Sequence, residues 1–96
     1  MDPAVLECRR ITILGYVQGV FFWGWTVGVA QELGVTGWVR NRSNGTVEVL
    51  AMGAPKPFDR FIARMREGAP ASRVDAVHIE DATPEDLETF TRRPTV

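Results

Sequence analysis

The sequence predicts an α+β domain, with two helices on one face of an antiparallel sheet and elements in the order β-α-β-β-α-β. Apolar residues recur at helical spacing in residues 22–33 and 58–65, while the runs before, between and after them alternate or are β-branched. An Asn44-Gly45 pair joins two of those runs, and asparagine-glycine supplies the positive φ values of a tight hairpin turn. Glycine or proline stands where one periodicity gives way to the other.

Residues 8–14 suit a first strand, with Arg9 and Arg10 ahead of its apolar part and expected to face water or a neighbouring carboxylate. Residues 22–33 form the first helix: Phe22, Thr26, Val29, Ala30 and Leu33 share a face, Trp25 lies beside it, and Gly34 is the expected stop. Gly24 and Gly28 fall inside this helix, each unfavourable by about 1 kcal/mol against alanine, and leave a smooth groove. Trp23 and Val27 share that outward side, so the helix is apolar almost all round. Either it is short and partly covered, or it exposes an apolar patch for self-association or another protein partner.

Residues 35–42 and 46–52 form the hairpin strands, with Val47, Val49 and Ala51 on one side and Glu48 on the other. Trp38, Arg40 and Arg42 alternate away from Val39 and are expected to line the uncovered face of the sheet. The run 53–57 breaks the chain, Pro57 fits the first turn of the second helix, and Phe58, Phe61, Ile62 and Met65 form its buried stripe. Arg64 and Arg66 are expected on its wet side, and Gly68 and Pro70 end it. Residues 74–80 form a fourth strand with Val77 and Ile79 inward and His78 outward, the lone histidine being neither base nor ligand. An acidic loop at 81–86 leads to a last edge strand at 87–93 containing Phe90. This is the ferredoxin-like architecture.

The chain of 96 residues suffices for one domain, 1–96, with a two-layer core. Its 45% hydrophobic and 24% charged residues are those of a folded protein, and a net charge of −1 offers no basic field for nucleic acid. Cys8, the single cysteine, reads as a reduced, buried thiol. No signal peptide is visible, and no apolar run approaches the ~18 residues of a membrane span. A cytoplasmic protein without membrane partners is expected.

Residues 15–23, Gly-Tyr-Val-Gln-Gly-Val-Phe-Phe-Trp, carry the chemistry. A strand that breaks at a glycine-bracketed loop and resumes as a helix presents free backbone N–H groups to an anion. Gly15 and Gly19 allow the backbone angles and close approach of such a cradle, although glycines in a plain connection are common too. Gly15-x-Val17-Gln18-Gly19-Val20-x-Phe22 resembles the acylphosphatase signature G-x-V-Q-G-V-x-[FY]-R. Gly37-Trp38-Val39-Arg40-Asn41, followed by Asn44-Gly45 and Val47-Glu48-Val49, is similar to the family's second motif. The likeness runs from about residue 8 to 93, with one departure: Trp23 occupies the position of the family's phosphate-binding arginine.

The resemblance implies the same fold and hydrolysis of acyl phosphates to carboxylate and phosphate, with no metal or cofactor. It implies a phosphate-binding loop at Tyr16, Val17, Gln18, Gly19 and Val20, and a water-orienting amide at Asn41. The partner is then a small phosphorylated carboxylic acid or an inorganic anion. An indole offers one neutral donor where a guanidinium gives a charged, bidentate grip. Losing such a contact typically costs several kcal/mol, on the order of 10³-fold in rate, so strongly reduced activity is expected. Tyr16 also stands where the family often has a basic residue, and Arg9, Arg10, Arg40 and Arg42 are not placed to compensate. The alternative is a non-catalytic anion-binding or protein-interaction module on the same fold.

Overall fold

A computed structural model describes residues 6–96. The elements are β1 (Glu7–Tyr16), α1 (Phe22–Leu33), β2 (Thr36–Asn41), β3 (Val47–Gly53), α2 (Pro55–Glu67), β4 (Arg73–Asp81) and β5 (Phe90–Arg92). They form a five-stranded sheet in the order β4-β1-β3-β2-β5. All pairings are antiparallel except β2 with β5, which is parallel. The sheet is therefore mixed, not purely antiparallel. The reason is directional: the chain leaves β4 at one edge, crosses beneath the sheet, and restarts upward beside β2, which already runs that way.

The helices follow from their buried stripes. Phe22, Thr26, Val29 and Ala30 of α1, and Phe58, Phe61 and Met65 of α2, pack on Ile11, Ile13, Val39, Val47 and Val49 to make the main core. Pro55 starts α2, where the missing N–H loses no bond, and Pro57 lies in the same first turn. Gly34 closes α1 in the left-handed conformation, its N–H turning back to the Ala30 and Gln31 carbonyls. Arg64 departs from the expected wet face. It pairs with Glu32 at 3.8 Å and lies 5.7 Å from the Trp25 ring, tying the two helices together.

The opposite face of the sheet is partly covered, contrary to the expectation for Trp38. Trp38 is only 4% exposed and packs with Cys8, Leu50 and Met52 beneath Ala82 and Leu87. The acidic segment supplies that cover instead of strand: the Trp38 indole donates to Glu85 at 3.4 Å, and the last strand shortens to Phe90–Arg92. Farther along this face Glu48, 3% exposed, accepts from Arg40 at 2.7 Å and pairs with Arg10 at 3.4 Å and Arg42 at 3.9 Å. Arg9 likewise meets Glu7 and Asp81. Ile79 is opposite Ile11 on the helical side, yet lies 39% exposed where the helices give no cover. His78 is exposed and Cys8 is a buried free thiol, as the sequence suggests. Among the described residues no helix is long and apolar enough to cross a membrane.

Candidate active site

The chain from Val17 to Phe21 leaves β1 and enters α1. Its side chains fix it from beneath. Val17 and Phe22 are buried in the main core, and Val20 is half-buried against it. Gln18 reaches sideways: its amide nitrogen donates to the Arg42 and Thr46 carbonyls, each at 2.8 Å. These carbonyls belong to the two arms of the hairpin that joins β2 to β3, so Gln18 clamps the loop to the end of β2. Sequence reasoning placed Gln18 in the loop for its backbone and missed this side-chain role.

With the side chains committed to anchoring, the backbone remains. Among the described residues no protein group accepts a hydrogen bond from a backbone N–H between Val17 and Gly24. The first helical bond runs from Trp25 N–H to the Phe21 carbonyl at 3.2 Å. Free N–H groups at a helix start carry the positive end of the peptide dipoles and favour an anion. Gly19 is the loop glycine, at φ 77° with open space around its α-carbon. Gly15 has another task. It sits at the irregularity where β1 pairs with β4, and a Cβ there would collide with the Arg73 carbonyl. Tyr16 ends β1, pairs with Arg73 and exposes its side chain.

Asn41 is the last residue of β2 and pairs with Val47. Alternation puts Gly37, Val39 and Asn41 on the helical side, and Trp38 and Arg40 on the other, so Asn41 faces the loop's side of the sheet. Its neighbour Arg42 supplies a carbonyl to Gln18, which brings the loop to the same strand end. The Asn41 Oδ1 is shut away from solvent and has no hydrogen-bond partner among the described residues. Such a group typically costs about 1–3 kcal/mol, so its retention calls for a ligand or a water to satisfy it.

Trp23 lies in the first turn of α1, half-buried against the core. Phe21 meets its ring edge-on with centroids 4.8 Å apart and is itself 64% exposed. Phe21 takes a left-handed conformation, φ 59°, and its ring fills the space over Gly24, where a Cβ would collide with it. The smooth groove expected at Gly24 and Gly28 is therefore occupied at its first glycine and open only at the second. Val27, too, is half-buried against the core. Over the Trp23 ring lies the guanidinium of Arg92, 4.4 Å from the centroid, an arrangement worth about 0.5–1 kcal/mol at an exposed site. Sequence reasoning missed Arg92. Its signal was the alternation from Phe90, but that signal needs the position of β5 beside β2.

Arg40 and Arg42 stay on the far side with Glu48, as alternation predicts. Among the described residues no His, Cys, Asp and Glu side chains converge into a potential metal site. The family model for acylphosphatase matches residues 9–92. The chain belongs to the acylphosphatase family. It is 51% identical to an acylphosphatase of Rhizorhabdus wittichii over 88 residues, 92% of this chain and 89% of that protein. A solved acylphosphatase from Coxiella burnetii matches with a TM-score of 0.87 and 38% identity, over 92% of this chain and 93% of its own. The structure of acylphosphatase from Bacillus subtilis gives a TM-score of 0.87 and 31% identity, over 93% and 99%. The family's ferredoxin-like fold is thus this chain's fold.

Proposed function

We propose that this family member binds the phosphoryl group of acyl phosphates in the loop of residues 16–20 and hydrolyses them to carboxylate and phosphate, at a rate strongly reduced by Trp23. The reading is carried by the free backbone N–H groups between Val17 and Gly24, clamped by Gln18 to the strand end that bears the unpartnered Asn41 amide oxygen. Catalysis here is positioning and charge stabilisation, because a carboxylate is already a good leaving group. The N–H groups of Val17, Gln18, Gly19 and Val20 hold the equatorial phosphoryl oxygens. Asn41 accepts from, and donates to, one water and aims it at phosphorus. A bond from water oxygen to phosphorus forms, the bond to the acyl oxygen breaks, and the water's proton is released.

In the family signature the residue after Phe22 is an arginine, and its replacement by the neutral Trp23 removes the charge best placed to stabilise the transferring group. A role as protein-interaction module through Trp23 and Val27 draws less support, since both are half-buried and Trp23 is capped by a cation. The test is steady-state release of phosphate from benzoyl phosphate, with inorganic phosphate as competitor. Slow turnover inhibited competitively by phosphate is expected. No turnover together with no phosphate binding would overturn the reading.

A further inference from the structure

Arg92 is placed by the sheet. Phe90, two residues earlier, is buried in the main core, and alternation sends Arg92 to the same, helical side. It is paired with Val39, which puts it one alternation from Asn41 along β2. The chain then follows β2 onward: Arg93 N–H donates to the Val39 carbonyl at 2.8 Å, and Val96 N–H to the Asn41 carbonyl at 3.2 Å. Arg92 therefore stands between the first turn of α1 and the strand end that carries Asn41.

Its head group is free to act. Arg40 and Arg42 are held by Glu48, and Arg93 by Glu85. No carboxylate among the described residues lies within ion-pair distance of Arg92. Its guanidinium carbon lies over the Trp23 ring, and among the described residues no acceptor takes a hydrogen bond from its head group, so its forked N–H donors are left to meet an oxyanion. The ring beneath is itself braced, packed against the core and met edge-on by Phe21.

We propose that Arg92 is the cation that contacts the phosphoryl oxygens, and that Trp23 acts as the platform positioning it. The charge lost at position 23 is thus returned from β5. This rests on the phosphate cradle proposed above. The replacement is partial, because an exposed guanidinium is screened by water and salt more than one enclosed by the loop. Trp23 is then a positioning residue, and Arg92 the one that meets substrate.

Phosphate affinity and the kinetics of benzoyl phosphate hydrolysis in the unchanged protein, Arg92→Ala, Arg92→Lys, Trp23→Leu and Arg66→Ala test it. Arg92→Ala is expected to weaken phosphate binding about tenfold and lower kcat/KM at least as much. Lysine recovers part of the loss as a point charge, and Trp23→Leu reproduces much of it by releasing Arg92. Arg66→Ala removes an exposed charge from α2 and leaves both quantities unchanged. As an independent readout, phosphate titration is expected to shift the Arg92 Nε–H and Trp23 indole N–H resonances with the dissociation constant measured kinetically. If the unchanged protein binds phosphate and Arg92→Ala binds it equally well, or if the Arg92 resonance stays still while phosphate binds, Arg92 is not the cation and the cradle survives. If the unchanged protein binds no phosphate, the cradle fails and this inference with it.

Discussion

Arg92 and Trp23 are in contact, the guanidinium carbon lying over the indole 4.4 Å from the ring centroid, and this contact joins the last strand to the first turn of α1. In the family signature an arginine occupies position 23, and here an aromatic ring carries an arginine from elsewhere in the chain. The ring is not a spare apolar surface. It is packed below, braced from the side by Phe21 and covered by charge, so the protein is expected to sediment as a monomer when its concentration is raised.

The buried Asn41 Oδ1 has no protein partner among the described residues, so no side-chain hydrogen bond through it ties the fold together. Asn41→Ala is therefore expected to lower benzoyl phosphate turnover at least tenfold while leaving the free energy of unfolding in urea within about 0.5 kcal/mol of the unchanged protein, or raising it. Activity and denaturation measured on one preparation check this. A variant that unfolds much more easily but turns over normally would assign Asn41 a structural role only.

The two helical glycines are expected to respond oppositely to alanine. At Gly28 nothing lies within 4 Å of an added Cβ, so Gly28→Ala gains helix propensity of about 0.5–1 kcal/mol. At Gly24 the Cβ would enter the Phe21 ring, so Gly24→Ala must displace Phe21 and is expected to destabilise the protein and loosen Trp23. Urea denaturation of the two variants reads the sign directly.

Cys8 lies under Ala82 and Leu87 on the far face of the sheet, and burial pushes its thiol up from the ordinary value. The folded state thus holds the thiol proton more tightly than the unfolded chain does. Its contribution to stability is constant below the unfolded value of about 8.5 and falls as pH rises beyond it. The unfolding midpoint is expected to drop as pH rises above about 8.5, and Cys8→Ala is expected to lose that component of the slope. In the native protein at pH 8, a disulfide reagent is expected to label Cys8 far more slowly than in denaturant.

The sequence revealed the fold because its signals were local. The stripe of Phe58, Phe61, Ile62 and Met65, the Asn44-Gly45 turn and the alternation around Val49 each need only neighbouring residues to be read. What escaped depended on how distant segments meet. Trp38 was expected on an open face because its cover, Leu87, lies far along the chain and was assigned to a strand. Arg64 was assigned to water because Glu32 and Trp25 belong to the other helix. Arg92 could not be seen as a partner of Trp23 until the parallel pairing of β5 with β2 placed it there. The loop and Asn41 were legible as a motif, whereas the Gln18 clamp between them required the hairpin carbonyls to be in position.

The loop is proposed as an intact phosphate cradle whose weakness lies at position 23. Phosphate release from benzoyl phosphate by the unchanged protein and by Trp23→Arg tests it most directly. An arginine at the helix start gives a bidentate, charge-assisted grip, and a gain in kcat/KM on the order of 10²-fold is expected. Brisk turnover by the unchanged protein, with no gain from Trp23→Arg, would contradict the account.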